Sequence, residues 1–206
     1  MRALCRRAAY GLLAALCGTA AVFAHSPADL DYDDYYAKGI TFAAFLDRAQ
    51  SRRDEWLAHY NDAAVTADMM TRMRALPERR RLLVVAEDWC GDSVNTIPYL
   101  ARLVDAAPER LAMRVIDSKV GRPVMEAHRT ADGRAATPTV VVLAEDGRVL
   151  GAFTERPAAL RAWVEQQKAD RQNPPSRQAL HDRTMTWYTD DAGTATVADI
   201  AEILTR

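Results

Sequence analysis

The stretch Leu82-Leu83-Val84-Val85-Ala86-Glu87-Asp88-Trp89-Cys90-Gly91-Asp92-Ser93 decides how the rest of the chain is read. Five apolar residues in a row suit a strand buried on both faces. The amphipathic stretch 94–104 that follows reads as a helix. Cys90 therefore stands at a strand-to-helix junction. There the unpaired N–H groups and the positive dipole end of the helix favour a thiolate. Ser93 adds a hydroxyl that can hydrogen-bond the same sulfur. Glu87, Asp88 and Asp92 flank the cysteine, and any that fold close to it act the other way by like-charge repulsion. No lysine, arginine or histidine lies within seven residues of Cys90 on either side. His128 and Arg134 are the candidates for a cation that folds in from a distance, and the balance of the two effects stays open.

Downstream, Leu111–Ile116 is a second strand. Residues 92–106 form the connecting helix, which Pro98 should kink. Residues 123–129 form a short helix. Strands at 139–143 and 148–153 are joined through Asp146-Gly147, a hairpin signal. Pro157 opens a helix through Leu160, Trp163 and Val164. Two parallel strands with a helical crossover, then a hairpin and a helix, make a mixed α/β sandwich.

Upstream, Thr41 can cap one helix running through Phe42, Phe45, Leu46, Ala49, Trp56, Leu57 and Tyr60. Thr66 can cap a shorter one whose Met69, Met70, Met73 and Leu76 fill the core, with Pro77 at its end. The acidic, tyrosine-rich residues 25–40 read as an extended lead-in that packs on the body. Beyond the linker Asn173-Pro174-Pro175-Ser176, Thr196 and Asp199 resemble a capping box for a last helix with Val197, Ile200, Ile203 and Leu204 on its apolar face. Trp187 and Tyr188 pin this tail to the body. The expected organisation is a leader at 1–24, a helical extension at 25–79, a core domain at 80–170, and a linker with a second helical extension at 171–206.

Composition bounds the rest. A chain of 206 residues with 49% hydrophobic content suits one globular domain with extensions. The formal net charge of −1 gives no electrostatic case for nucleic acid. Arg2, Arg6 and Arg7 precede an apolar run to Ala24, and Val22 and Ala24 suit a cleavage site before His25. This is the layout of a secretory signal peptide; as an uncleaved anchor the run is short to span. Cleavage after Ala24 would remove three arginines, bring the formal charge to −4, and take Cys5 and Cys17 with it. Cys90 would remain as an unpaired cysteine in a periplasmic or secreted protein with no stable membrane association. A start site near Tyr32 would instead leave the protein in the cytoplasm. His59, His128 and His181 have no metal-ligand spacing, so neither metal nor cofactor is expected.

Taken in order, the apolar strand, Trp89-Cys90-Gly91, Pro98 eight residues after the cysteine, and Thr137-Pro138-Thr139 before a strand resemble the thioredoxin superfamily. The core of the resemblance runs from about residue 80 to 168. Tyr36-Ala37-Lys38-Gly39-Ile40-Thr41 and Glu87-Asp88-Trp89-Cys90-Gly91-Asp92 are similar to a bacterial thioredoxin-like subfamily with helical additions at both ends. The resemblance implies a thioredoxin fold, a mixed central sheet flanked by helices. It also implies a cis Pro138 facing Cys90, and a Thr137 backbone that receives an extended substrate strand. Three positions depart from the family. Ser93 replaces the resolving cysteine, Val84 stands where many thioredoxins place a buried acid, and Asp92 stands where proline or histidine is common.

Without a second cysteine no internal dithiol cycle is possible. The expected chemistry is monothiol exchange, with Cys90 and Ser93 as catalytic residues and Trp89, Gly91, Asp92, Thr137 and Pro138 as substrate-binding residues. The substrates are expected to be protein or low-molecular-weight thiols and disulfides, and the protein a monomer. A peptide-binding or chaperone-like module on the same scaffold is the alternative. A one-cysteine peroxidase fits less well, because acids surround the thiol.

Overall fold

In the computed structural model, residues 29–169 and 172–206 are described. The expected leader at 1–24 lies outside them. Four strands, β1 (Arg80–Val85), β2 (Leu111–Ile116), β3 (Thr139–Leu143) and β4 (Val149–Thr154), form one mixed sheet in the order β2-β1-β3-β4. β1 pairs parallel with β2 and antiparallel with β3, with Val84 opposite both Val115 and Val140. The β3–β4 hairpin turns at Gly147, whose φ of 88° is open to glycine at no steric cost.

Both faces of the sheet are buried, which is why β1 and β3 read as unbroken apolar runs. Leu82, Val84, Val140 and Val142 face one core with Trp56, Met73, Leu100 and Ile200. Leu83, Val85, Val141 and Leu143 face the other with Tyr32, Val124 and Met125. The helices that supply these side chains are α1 (Tyr32–Lys38), α2 (Phe42–Arg48), α3 (Arg53–Asp62), α4 (Ala67–Arg74), α5 (Gly91–Val94), α6 (Ile97–Ala106), α7 (Arg122–Ala127), α8 (Ala158–Lys168), α9 (Arg177–Asp191) and α10 (Thr194–Leu204). The methionine stripe is core filling, with Met73 buried and Met69 and Met70 packed against it.

Several expectations are corrected. The lead-in is a helix, α1, because Asp31 caps it through the Asp34 N–H and Lys38 pairs with Asp34 one turn on. The helix expected across 42–60 is two, α2 and α3. Between them the Asp88 carboxylate takes the Gln50 and Ser51 N–H groups and turns the chain. Pro98 does not kink a long helix: it sits in the first turn of α6, where its missing N–H costs nothing. The tail contains α9, which the polar, weakly periodic residues 177–191 did not announce. Nor does the capping box form. α10 starts at Thr194 after an N-cap at Gly193, Thr196 is buried inside it, and Asp199 instead accepts from the Ala158 N–H at the start of α8. Among the described residues no helix is long and apolar enough to cross a membrane.

Candidate active site

β1 delivers Glu87 to Cys90 to the C-terminal end of the sheet, where Cys90 is the N-cap of the four-residue helix α5. The thiol is largely buried, 9% exposed. Its sulfur donates to the Thr137 carbonyl at 3.4 Å and accepts from the Thr137 hydroxyl at 3.3 Å. The Thr137–Pro138 peptide is cis, as the resemblance implies. The Pro138 carbonyl accepts from the Glu155 N–H at 2.7 Å, which fixes the loop that faces the sulfur. Among the described residues no hydrogen bond uses the Thr137 N–H, and Thr137 itself is half-buried.

Of the remaining expected site residues, Trp89 is the more prominent, 63% exposed beside the cysteine. Val120, in the loop after β2, is the other exposed large apolar residue among those described. Ser93 is fully buried, and its hydroxyl has no hydrogen-bond partner. Its spacing of three from Cys90 puts both on one face of the turn. Gly91 is enclosed. A Cβ there would stand 3.1 Å from Arg52 Nη1 and 3.5 Å from Met185 Sδ, so both side chains lie against the backbone at this residue.

The three flanking acids are each committed away from the sulfur. Glu87 accepts from the Ser118 N–H at 2.7 Å. Asp88 accepts from the Gln50 and Ser51 N–H groups at 2.7 and 3.0 Å, and its carbonyl accepts from the Trp56 indole. Asp92 receives Arg156 Nε at 2.9 Å and Nη2 at 3.1 Å, and the Tyr188 hydroxyl at 2.9 Å. Burial works against the Arg156 charge, but the Asp92 bond and charge outweigh it and raise its pKa. Burial, then the Asp92 charge, hold the Tyr188 hydroxyl protonated far above its ordinary range. The Asp92 carboxylate thus joins α5, the β4–α8 loop and α9.

Neither distant cation named from the sequence meets the thiol. His128 bonds the Tyr32 hydroxyl at 2.7 Å, and its pKa is lowered by burial. Arg134 makes a bidentate pair with Glu155 and a further bond to Asp132. The cations that do reach the motif are Arg156, on Asp92, and Arg52, beside Gly91 at the start of α3. Nothing local in the sequence marks them, or marks Tyr188, because tertiary contacts alone bring them in. Among the described residues no cluster of three or more His, Cys, Asp or Glu could hold a metal ion.

A family model described as Thioredoxin matches residues 39–170. The chain belongs to the thioredoxin family. The matched segment of this thioredoxin-family protein includes α2 to α4 as well as the sheet. A solved Pseudomonas aeruginosa protein of unknown function is similar at 22% identity and a TM-score of 0.65, covering 85% of this chain and 97% of its own. An HIV epitope-scaffold is similar at 20% identity and the same TM-score, over 85% of this chain and 98% of its own. At these identities the likeness is one of fold. Curated proteins give no significant match.

Proposed function

We propose that this thioredoxin-family protein catalyses monothiol thiol–disulfide exchange through Cys90. The observation that carries the reading is the Cys90 sulfur bonded to Thr137, next to the unpaired Thr137 N–H and the exposed Trp89. A substrate segment laid against that N–H would pair by main-chain hydrogen bonds and present its disulfide to the sulfur. The Cys90 thiolate attacks one substrate sulfur, forms a mixed disulfide, and expels the other sulfur as a thiolate. An external low-molecular-weight thiolate then attacks the substrate sulfur of that mixed disulfide. Cys90 leaves as thiolate, and the substrate departs disulfide-bonded to the external thiol. Each step exchanges one S–S bond for another, so no other oxidant or reductant is needed. Ser93 has no sulfur with which to resolve the intermediate, which suits isomerase or deglutathionylation chemistry better than bulk reduction.

The basic start, the apolar run and the cleavage pattern before His25 support export, with exchange taking place outside the cytoplasm. N-terminal sequencing of the protein from culture tests this: a mature end at His25 is expected, and an intact Met1 or a start near Tyr32 contradicts it. For the chemistry, turnover of a mixed-disulfide peptide substrate with an external thiol is expected in the wild type and lost in Cys90→Ala. Equal partner binding by the two proteins with no exchange in either would leave a peptide-binding module.

A further inference from the structure

We propose that Arg52 is a positioning residue of the thiol site, bringing from the N-terminal helices the positive charge that favours the Cys90 thiolate. This rests on the thiol-exchange reading above.

Position 52 obeys neither of its local preferences. Its φ of 54° and ψ of 20° lie in the left-handed region, which favours glycine or asparagine over a bulky residue. It is also the N-cap of α3, where serine, aspartate or asparagine would accept a backbone N–H, and Arg52 makes no such cap bond. Local rules broken together with a specific long-range contact point to a functional use. The contact is with the active-site motif. Asp88 holds the loop by the Gln50 and Ser51 N–H groups, and the Trp56 indole bonds the Asp88 carbonyl. The motif itself thereby aims the Arg52 side chain back at Gly91.

Two of the three guanidinium nitrogens, Nε and Nη2, bond Glu55. Nη1 makes no hydrogen bond among the described residues and lies 3.1 Å from the Cβ position of Gly91, the residue after the thiol. Glu55 lies on the exposed side of Arg52, its side chain 51% exposed against 28% for the arginine, and Nη1 is the donor left to face the motif. The other charges around the site are paired or bonded elsewhere. Asp92 pairs with Arg156, Arg134 with Glu155 and Asp132, and Glu87 and Asp88 accept backbone N–H groups. Ser93, buried and without a partner, offers a hydroxyl on the same turn as the sulfur.

The test is alkylation of Cys90 by iodoacetamide in the full chain, followed by peptide mass spectrometry so that Cys5 and Cys17 are read separately. Arg52→Gln is expected to slow alkylation at pH 7 by about three- to tenfold and to move the pH–rate profile to higher pH. Arg52→Lys keeps most of the wild-type rate, since the charge remains; a purely structural loss would make lysine as poor as glutamine. Arg52→Gly slows alkylation as glutamine does while its melting temperature holds or rises, because glycine accepts the left-handed backbone. Added salt slows the wild type toward the Arg52→Gln rate and leaves that variant unchanged. Wild-type rates, pH profile and salt response in Arg52→Gln and Arg52→Gly would overturn the role of Arg52. If wild-type Cys90 neither alkylates nor exchanges, the thiol-exchange reading fails and the proposal with it. If the wild type exchanges and the variants match it, only the proposal fails.

Discussion

The Tyr188 hydroxyl donates to the Asp92 carboxylate at 2.9 Å, tying α9 to the first turn after Cys90. The tyrosine is buried, and the same carboxylate is held by Arg156, so the bond is formed away from water to a charged acceptor. Hydrogen bonds of that kind contribute about 1.5–3 kcal/mol. Tyr188→Phe is therefore expected to lower stability by about 1–2 kcal/mol in urea titration. Amide exchange across residues 91–96 should quicken in the same variant. Unchanged exchange there would mean α9 does not brace the site.

Ser93 makes two opposite predictions. Its buried hydroxyl has no partner. Removing an unsatisfied buried polar group is neutral or favourable, so Ser93→Ala should change stability by no more than about 1 kcal/mol, and upward if at all. A chemical-denaturation midpoint well below the wild type would show that the hydroxyl has a structural partner.

Ser93→Cys would place a second sulfur on the turn that carries Cys90. A sulfur for an oxygen is a small change in volume, costing less than about 1.5 kcal/mol. The variant is expected to reduce insulin disulfides, which the wild type does slowly or not at all. The turbidity assay reads this directly, and a variant that folds but gives no turbidity would separate this site from the dithiol members of the family.

Acid and alkali should weaken the fold through different groups. His128, bonded to Tyr32, has its pKa lowered below the ordinary 6.5 by burial. The unfolded chain binds that proton first, so stability is full above pH 6.5 and falls as pH drops toward the lowered value. Tyr32 is pushed up to about 12 by burial and by Tyr35, so stability is full below pH 10 and is lost as pH rises from there through about 12. Denaturant midpoints from pH 5 to 11 should show both flanks. His128→Asn should flatten the acid flank between about pH 6.5 and 5. An unaltered acid flank in that variant would assign it to carboxylates instead.

The elements that sequence reading found are those whose signal is local. The five-residue run before Glu87 marks β1, Asp146-Gly147 marks the hairpin, and Thr41 and Thr66 do cap α2 and α4. Cys90 was legible because it lies at the end of such an element; Thr137 and Pro138 came from the resemblance to thioredoxins, and the fold brings Thr137 to the Cys90 sulfur. What stayed hidden depends on distant partners. The break between α2 and α3 is made by Asp88, far along the chain, against a helical periodicity that runs straight through it. Asp199 looks like a cap for its own helix and caps α8 instead. Asp92 looks like a free acid beside a thiol, and Arg156 and Tyr188 claim it. A charge's partner is a property of packing, and no spacing rule predicts it.

The central claim is that Cys90 forms a mixed disulfide. Intact-mass measurement after incubation with a low-molecular-weight disulfide tests it most directly, with peptide mapping to locate the adduct. The expected result is one adduct on Cys90, absent in Cys90→Ala and released by an external thiol. No adduct on Cys90 in folded wild type, with the same disulfide reacting readily with a free cysteine, would contradict it.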